Sequence, residues 1–216
     1  SSGKNQLRVF KSFNNWFKVR TAWGEVGYIE KRHVVVTKVF VLEIPDTRQE
    51  HTSRLADGEK ISLVWDQVFD KRTNFDDLEV PEGLDVISPT WLHLKDEEGN
   101  LSNICDSAYV EWAHSKNYEV WALIANTFEN PEITHRFLNS TSARDNLIRQ
   151  VLAYASLYKL DGINIDFENV YLKDKEALVQ FVREITPMLR EQGLVVSMDV
   201  GVPGGSDTYS LCYDLT

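Results

Sequence analysis

The chain has 216 residues, 43% of them hydrophobic, and a formal net charge of −10 at pH 7. That length suits one large domain, or a large and a small one, and that apolar content allows a sizeable core, so disorder is not the default. No apolar run approaches the ~18 residues of a membrane span, and two distant cysteines, Cys105 and Cys212, exclude a disulfide-dense scaffold and a cysteine-rich metal site.

The charge is unevenly spread. Residues 1–40 carry eight Lys or Arg against Glu25 and Glu30, which is +6, so the remainder carries −16. A basic head on an acidic body suggests two modules with different partners, although an ordinary solvated basic surface gives the same pattern. The chain opens Ser1-Ser2-Gly3 with no signal peptide in view, and such a start says little about secretion.

Residues 7–36 read as short strands with tight turns: Leu7–Phe10, Trp16–Arg20 and Val26–Ile29, broken by Asn14-Asn15 and by Gly24. The runs N-W-F-K-V-R-T and G-E-V-G-Y-I and the closing V-V-V resemble the later strands of the bacterial Src-homology-3-like repeat, a small barrel of cell-wall proteins. That resemblance implies an all-β module over residues 1–40 that binds wall peptides or orients an attached enzyme. Residues 41–60, polar and containing Pro45, read as a linker, with one more strand at Val39–Ile44.

From Ile61 apolar strands alternate with helical stretches, the pattern of an α/β domain over residues 61–216. The strands are predicted at Ile61–Val68, Leu84–Pro89, Tyr118–Ala125, Gly162–Glu168 and Leu194–Val200. Helices are predicted at Ser107–Lys116, Ser142–Leu157 and Lys173–Gln192, with a short one at Thr73–Leu78. Gly193 supplies the left-handed turn that ends the last long helix.

The most informative stretch is Leu160–Val170, L-D-G-I-N-I-D-F-E-N-V. Ile163, Ile165 and Phe167 alternate with Asn164, Asp166 and Glu168, the period of a strand with one apolar and one polar face. Asp and Asn are poor strand formers, and a strand between two helical stretches is a covered, parallel one. In a closed barrel of parallel strands the polar face points inward, and its C-terminal end reaches the mouth where such barrels keep their chemistry. Asn164, Asp166 and Glu168 then form a ladder climbing in steps of about 6.6 Å. Asp161 has the opposite parity and is expected to satisfy backbone N–H groups.

D-G-I-N-I-D-F-E resembles the D-G-x-D-x-D-x-E strand of glycoside hydrolase family 18, the fourth strand of a (β/α)8 barrel. F-E-N-V, W-D-Q-V, S-P-T-W and V-P-G-G-S-D resemble the branch that cleaves spore-cortex and cell-wall peptidoglycan. The resemblance implies that Glu168 is the general acid, and that Asp166 holds the 2-acetamido N–H while the substrate's own acetamido oxygen attacks. Asn164 stands where the family has Asp; its amide is expected to donate to Asp166 without titrating. Trp65, Trp91 and Asn126, near strand ends, are candidate sugar-binding residues, since sugar faces stack on aromatic rings. Trp112 and Trp121 read as packing, and nothing pairs His114 or His135 with a nucleophile.

The implied activity is hydrolysis of β-1,4 bonds next to N-acetylglucosamine in peptidoglycan, in a cell wall or spore envelope outside the cell. The alternatives are a chitinase acting on chitin oligomers and a chitinase-like lectin that binds without cutting. No cofactor, nucleic-acid partner or metal is expected. An EF-hand is excluded because Asp166 stands where that loop needs Gly, and no His joins Asp166, Glu168 and Asp199 to hold a metal. Eight strands need ~250 residues, so the five seen here are expected to be the first part of a barrel. The family's Tyr after strand six and Trp on strand eight are expected to lie outside this chain.

Overall fold

The computed structural model describes residues 7–20, 26–37, 60–70, 75, 82–201 and 212–213. It divides into two compact units, Ser1–Thr47 and Arg48–Thr216. The linker to residue 59, the strand expected at 39–44, the helix expected at 73–78 (Phe75 apart) and the run at 202–207 lie outside the described residues.

In the first unit β1 (Arg8–Ser12), β2 (Trp16–Arg20) and β3 (Val26–Glu30) form an antiparallel sheet in that order. The Asn14-Asn15 turn is closed by Phe13 N–H donating to the Trp16 carbonyl at 2.8 Å, as turn-forming asparagines permit. Among the described residues the expected closing strand at Val34–Val36 is not formed; a short 3-10 turn at Lys31–His33 ends at Val34 in an extended conformation.

The second unit holds a six-stranded sheet of β4 (Leu63–Asp66), β5 (Val86–Leu94), β6 (Leu101–Asn103), β7 (Glu119–Ala125), β8 (Gly162–Asp166) and β9 (Val195–Met198). Strands β4-β5-β7-β8-β9 run parallel in that order, and β6 pairs antiparallel with β5. The connections carry α1 (Ser107–Ser115), α2 (Pro131–Leu138), α3 (Thr141–Tyr158) and α4 (Lys175–Arg190). All five predicted strands and all three predicted long helices are present.

Three features differ from expectation, each for a local reason. The second strand does not stop at Pro89: the ring removes one ladder donor, yet the strand runs on to Leu94, with a register shift between Thr90 and Leu92. That extra length pairs with β6, a strand of three residues and too short to show a period. Helix α2 has only eight residues, begun by Pro131 at its first turn, where a missing N–H costs nothing.

Strand β8 explains how the layers join. Ile163, Ile165 and Phe167 are fully buried on the helix side. Phe167 stacks on Phe181 of α4, with ring centroids 5.2 Å apart, and meets Phe137 of α2 edge-on at 6.2 Å. Burying each such side chain contributes roughly 1.5–3 kcal/mol. Gly162 is needed where β8 begins, because a Cβ there would lie 2.7 Å from the Trp121 ring and 2.9 Å from the Val195 carbonyl. Asp161 accepts from Val120 N–H at 2.7 Å and from His114 Nε2 at 2.8 Å, the structural role its parity predicts. Arg144 of α3 forks onto Glu184 of α4 at 2.7 and 3.0 Å, tying two helices of the layer together; such bidentate pairs fix geometry as well as adding energy.

The sheet is curled. Trp65 on β4 and Asp199 just after β9 belong to the two outer strands of the parallel order, yet Trp65 Nε1 donates to Asp199 Oδ2 at 3.2 Å. This bond crosses the face that carries Asn164.

Candidate active site on the concave face of β8

The polar face of β8 opens onto the concave side of the sheet. Asn164 is 1% exposed, and Asp166 and Glu168 are half-buried. Glu168 lies two residues beyond the last β8 residue, so no ladder bond holds it directly. Asn126, just past the end of β7, does so instead. Its Oδ1 accepts Glu168 N–H at 2.8 Å and its Nδ2 donates to the Glu168 carbonyl at 2.8 Å. The same Nδ2 donates to Thr134 Oγ1 at 2.9 Å, which ties the clamp to α2. Tyr213 donates its hydroxyl proton to the Phe167 carbonyl at 2.7 Å. Backbone fixed at Phe167 and Glu168, with Phe167 plugged into the helix layer, sets the point from which the Glu168 side chain projects.

This corrects the expectation for Asn126. At 2% exposure, with its amide spent on the Glu168 backbone, it positions Glu168 rather than binding sugar. Trp91 is corrected as well: it is 1% exposed and meets Tyr109 of α1 at a centroid distance of 5.1 Å. It stands within the register shift between Thr90 and Leu92, with its ring packed toward the helices, so it fills core. Trp65 remains at the site, 59% exposed and oriented by Asp199. Trp112 and Trp121 pack as expected, the latter with Nε1 on Glu119 at 2.9 Å.

Asn164 does not donate to Asp166. Its Nδ2 donates to Asp199 Oδ2 at 2.8 Å and lies 3.4 Å from Ser88 Oγ, while its Oδ1 accepts from Ser197 Oγ at 2.7 Å. The cause is register: Asn164 sits level with Ser197 on β9, and side chains of one parity on adjacent strands meet on one face.

The electrostatics follow from three carboxylates on one half-buried face. Burial, then the charges of Glu168 and Asp199, push the Asp166 carboxyl up to about 6. Burial also raises Asp199, opposed by the hydrogen bonds from Asn164 and Trp65. The Tyr213 phenol is pushed far up, by burial first, then by Cys212 and the three carboxylates. It is therefore a neutral donor at any ordinary pH. The raised Asp166 carboxyl changes charge in the mildly acidic range, which suits a group that must hold a proton at one stage of a reaction and release it at another.

From sequence Asp199 was weighed beside Asp166 and Glu168 only as a metal ligand, and Tyr213 was not assigned to this site. Asp199 was legible: Ser197 and Asp199 alternate with Val196, Met198 and Val200, the same period as on β8. Tyr213 carried no such pattern. Among the described residues no group of three His, Cys, Asp or Glu side chains is placed to hold a metal ion, and no helix is long and apolar enough to cross a membrane.

Comparison with known proteins places this geometry in a context. No family model matches the chain. The candidate sporulation-specific glycosylase YdhD of Bacillus subtilis is 29% identical over 106 residues, which are 47% of this chain and 25% of that protein. Its crystal structure superposes with a TM-score of 0.53 at 26% identity, covering 57% of this chain and 42% of that one. A chitinase from Bacteroides thetaiotaomicron gives 0.52 at 25% identity, covering 64% and 46%. The spore cortex-lytic enzyme SleL of Bacillus megaterium shares the fold at a TM-score of 0.59 and 16% identity, over 71% and 38% of the two chains. The chain thus spans less than half the length of each of these relatives.

Proposed function

We propose that this chain carries the catalytic carboxylates of a glycoside hydrolase of the family 18 type, within a (β/α)8 barrel of which the five parallel strands form part. The observation that carries the reading is Glu168, fastened through its backbone by Asn126 and placed one step above Asp166 on the concave face. The relatives named as a glycosylase, a chitinase and a spore cortex-lytic enzyme support it.

In this reading Glu168 protonates the glycosidic oxygen and later draws a proton from water. Asp166 accepts the acetamido N–H and stabilises the positive charge that develops as the acetamido oxygen attacks the anomeric carbon. Trp65, exposed and held in orientation by Asp199, offers its ring to a sugar face. The substrate is an amino-sugar polymer. Peptidoglycan of a cell wall or spore envelope is favoured by the sporulation and cortex relatives, with the first unit acting as an SH3-like wall-binding module over residues 1–40 and a linker following it. Chitin oligomers are the second reading, favoured by the chitinase relatives.

The test uses the intact protein on purified peptidoglycan and on N-acetylglucosamine oligomers, counting new reducing ends. Release that disappears in Glu168→Gln, with pelleting on the polymer retained, is expected. Undiminished release by that variant removes Glu168 from the mechanism. Pelleting without release by the wild type makes the protein a lectin.

A further inference from the structure

We propose that Asp199, aimed by Asn164 and Trp65, is the positioning residue that partners Asp166 in the reaction, the place that an acid at position 164 would otherwise hold. The proposal deepens the glycosidase reading and rests on it for its kinetic arm only.

Three geometric facts carry it. First, Asn164 is turned away from Asp166: its amide is occupied by Asp199, Ser88 and Ser197. Second, Asp199 stands where Asp166 needs a neighbour. The β8–β9 register pairs Asn164 with Ser197 and Ile165 with Met198, and Asp199 N–H continues it by donating to the Ile165 carbonyl at 2.8 Å. Asp199 shares the parity of Ser197, whose hydroxyl reaches Asn164, so it emerges on the face of Asp166, on a strand about 4.8 Å away. Third, Asp199 is held. Asn164 Nδ2 and Trp65 Nε1 both donate to Oδ2, one from the adjacent strand and one from across the concave face. The two donors together fix the orientation of the carboxylate on the concave face.

The consequence is chemical. An Asn at 164 cannot exchange a proton with Asp166, so the electrostatic partner comes from the next strand. The charge of Asp199 favours the protonated form of Asp166 while the site is empty. When the acetamido N–H comes onto Asp166 and positive charge grows there, the same charge stabilises it. The groups facing Asp166 are Glu168 beyond its own strand, Asp199 from β9 and Tyr213 at Phe167; on the β7 side its register partner is Ala125, which is uncharged. Because a donor to Asp199 is also the exposed ring offered to the sugar, substrate contact at Trp65 and the charge beside Asp166 are mechanically linked.

The experiment is a carboxyl-13C NMR titration of the intact protein, with the Asp166 signal assigned through Asp166→Asn, in wild type and Asp199→Asn. A midpoint near 6 in the wild type is expected to fall by about one unit in Asp199→Asn, the sign required when a like charge is removed. Trp65→Phe, at an exposed position that does not threaten folding, is expected to move it the same way by less. In the kinetic arm, Asp199→Asn lowers kcat about 10-fold with KM nearly unchanged. The acid limb of its pH profile moves with the NMR midpoint, and Asp199→Glu restores part of both. Identical midpoints in wild type, Asp199→Asn and Trp65→Phe overturn the proposal, as does a kcat and profile unmoved by Asp199→Asn. A wild type that hydrolyses nothing overturns the glycosidase reading and the reaction role with it, while the titration still decides whether Asp199 partners Asp166.

Discussion

The two faces of β8 obey opposite rules within the same residues. On the helix side Ile163, Ile165 and Phe167 are buried among α2, α3 and α4 and make no polar contact with their side chains. On the concave side Asn164, Asp166 and Glu168 lie beside Ser88, Ser197 and Asp199, and carboxylates crowd together in a way that no argument from stability would select. The difference teaches where the free energy comes from and where it is spent. The apolar face fixes the strand, and that rigidity lets the polar face hold like charges near one another.

The sharpest break in this comparison is on the polar face. Glu168→Gln should lower hydrolysis by at least ~10³-fold, from the usual contribution of a positioned acid and base, while leaving the unfolding midpoint in urea within experimental error of the wild type. A comparable loss of stability would mean that Glu168 is structural.

Phe167→Ala attacks the other face one residue away. It empties the cluster with Phe137 and Phe181 and should cost about 3–5 kcal/mol in urea unfolding. Activity should fall only as far as the population of folded protein does.

Asn126→Ala cuts the fastening between the two faces. Losing the paired bonds to Glu168 should cost about 1–3 kcal/mol and lower kcat about 10-fold or more, because the acid is displaced rather than deleted. Asn126→Asp, which keeps one acceptor and loses the donor, should fall between. Equal kcat in all three proteins would show that the clamp does not govern the acid.

The smallest effect is in pH. The folded-state value of Asp166, about 6, lies above its unfolded value near 4. Between those values the folded protein binds the extra proton, so this group's contribution to stability is present at pH 4 and is lost as pH rises through 6. Asp166→Asn removes that loss. The variant should be more stable than the wild type at pH 7 by on the order of 1 kcal/mol, after allowing for solvent screening of a half-exposed group. The difference should vanish near pH 4, and one that grows toward low pH would reverse the sign of the argument.

Much of this site was legible from residue order. The alternation Ile163-Asn164-Ile165-Asp166 specifies both faces, and the positions of the helices around it imply parallel strands. The partners were harder to read, because they are set by register between strands and not by spacing within one. Asn164 turns to Asp199 because β9 stands level with β8 at Ser197, a relation that no local pattern contains. Trp91 misled for a related reason: the register shift after Thr90 changes which way the chain beyond Pro89 faces. Asn126 was found as a polar residue at a strand end, yet its use as a substitute ladder rung depends on β8 ending two residues short of Glu168.

The bond from Trp65 to Asp199 has a consequence in time. Its two residues are 134 positions apart in sequence, whereas each strand pairing between them closes a shorter loop. Chain entropy therefore places this contact late in folding. The second hold on the carboxylate beside Asp166 is then made only after the sheet has curled, and full hydrolytic competence should lag the recovery of secondary structure. Stopped-flow refolding can separate the two, with far-ultraviolet circular dichroism preceding the return of activity. Simultaneous recovery would mean that the curl forms together with the strands.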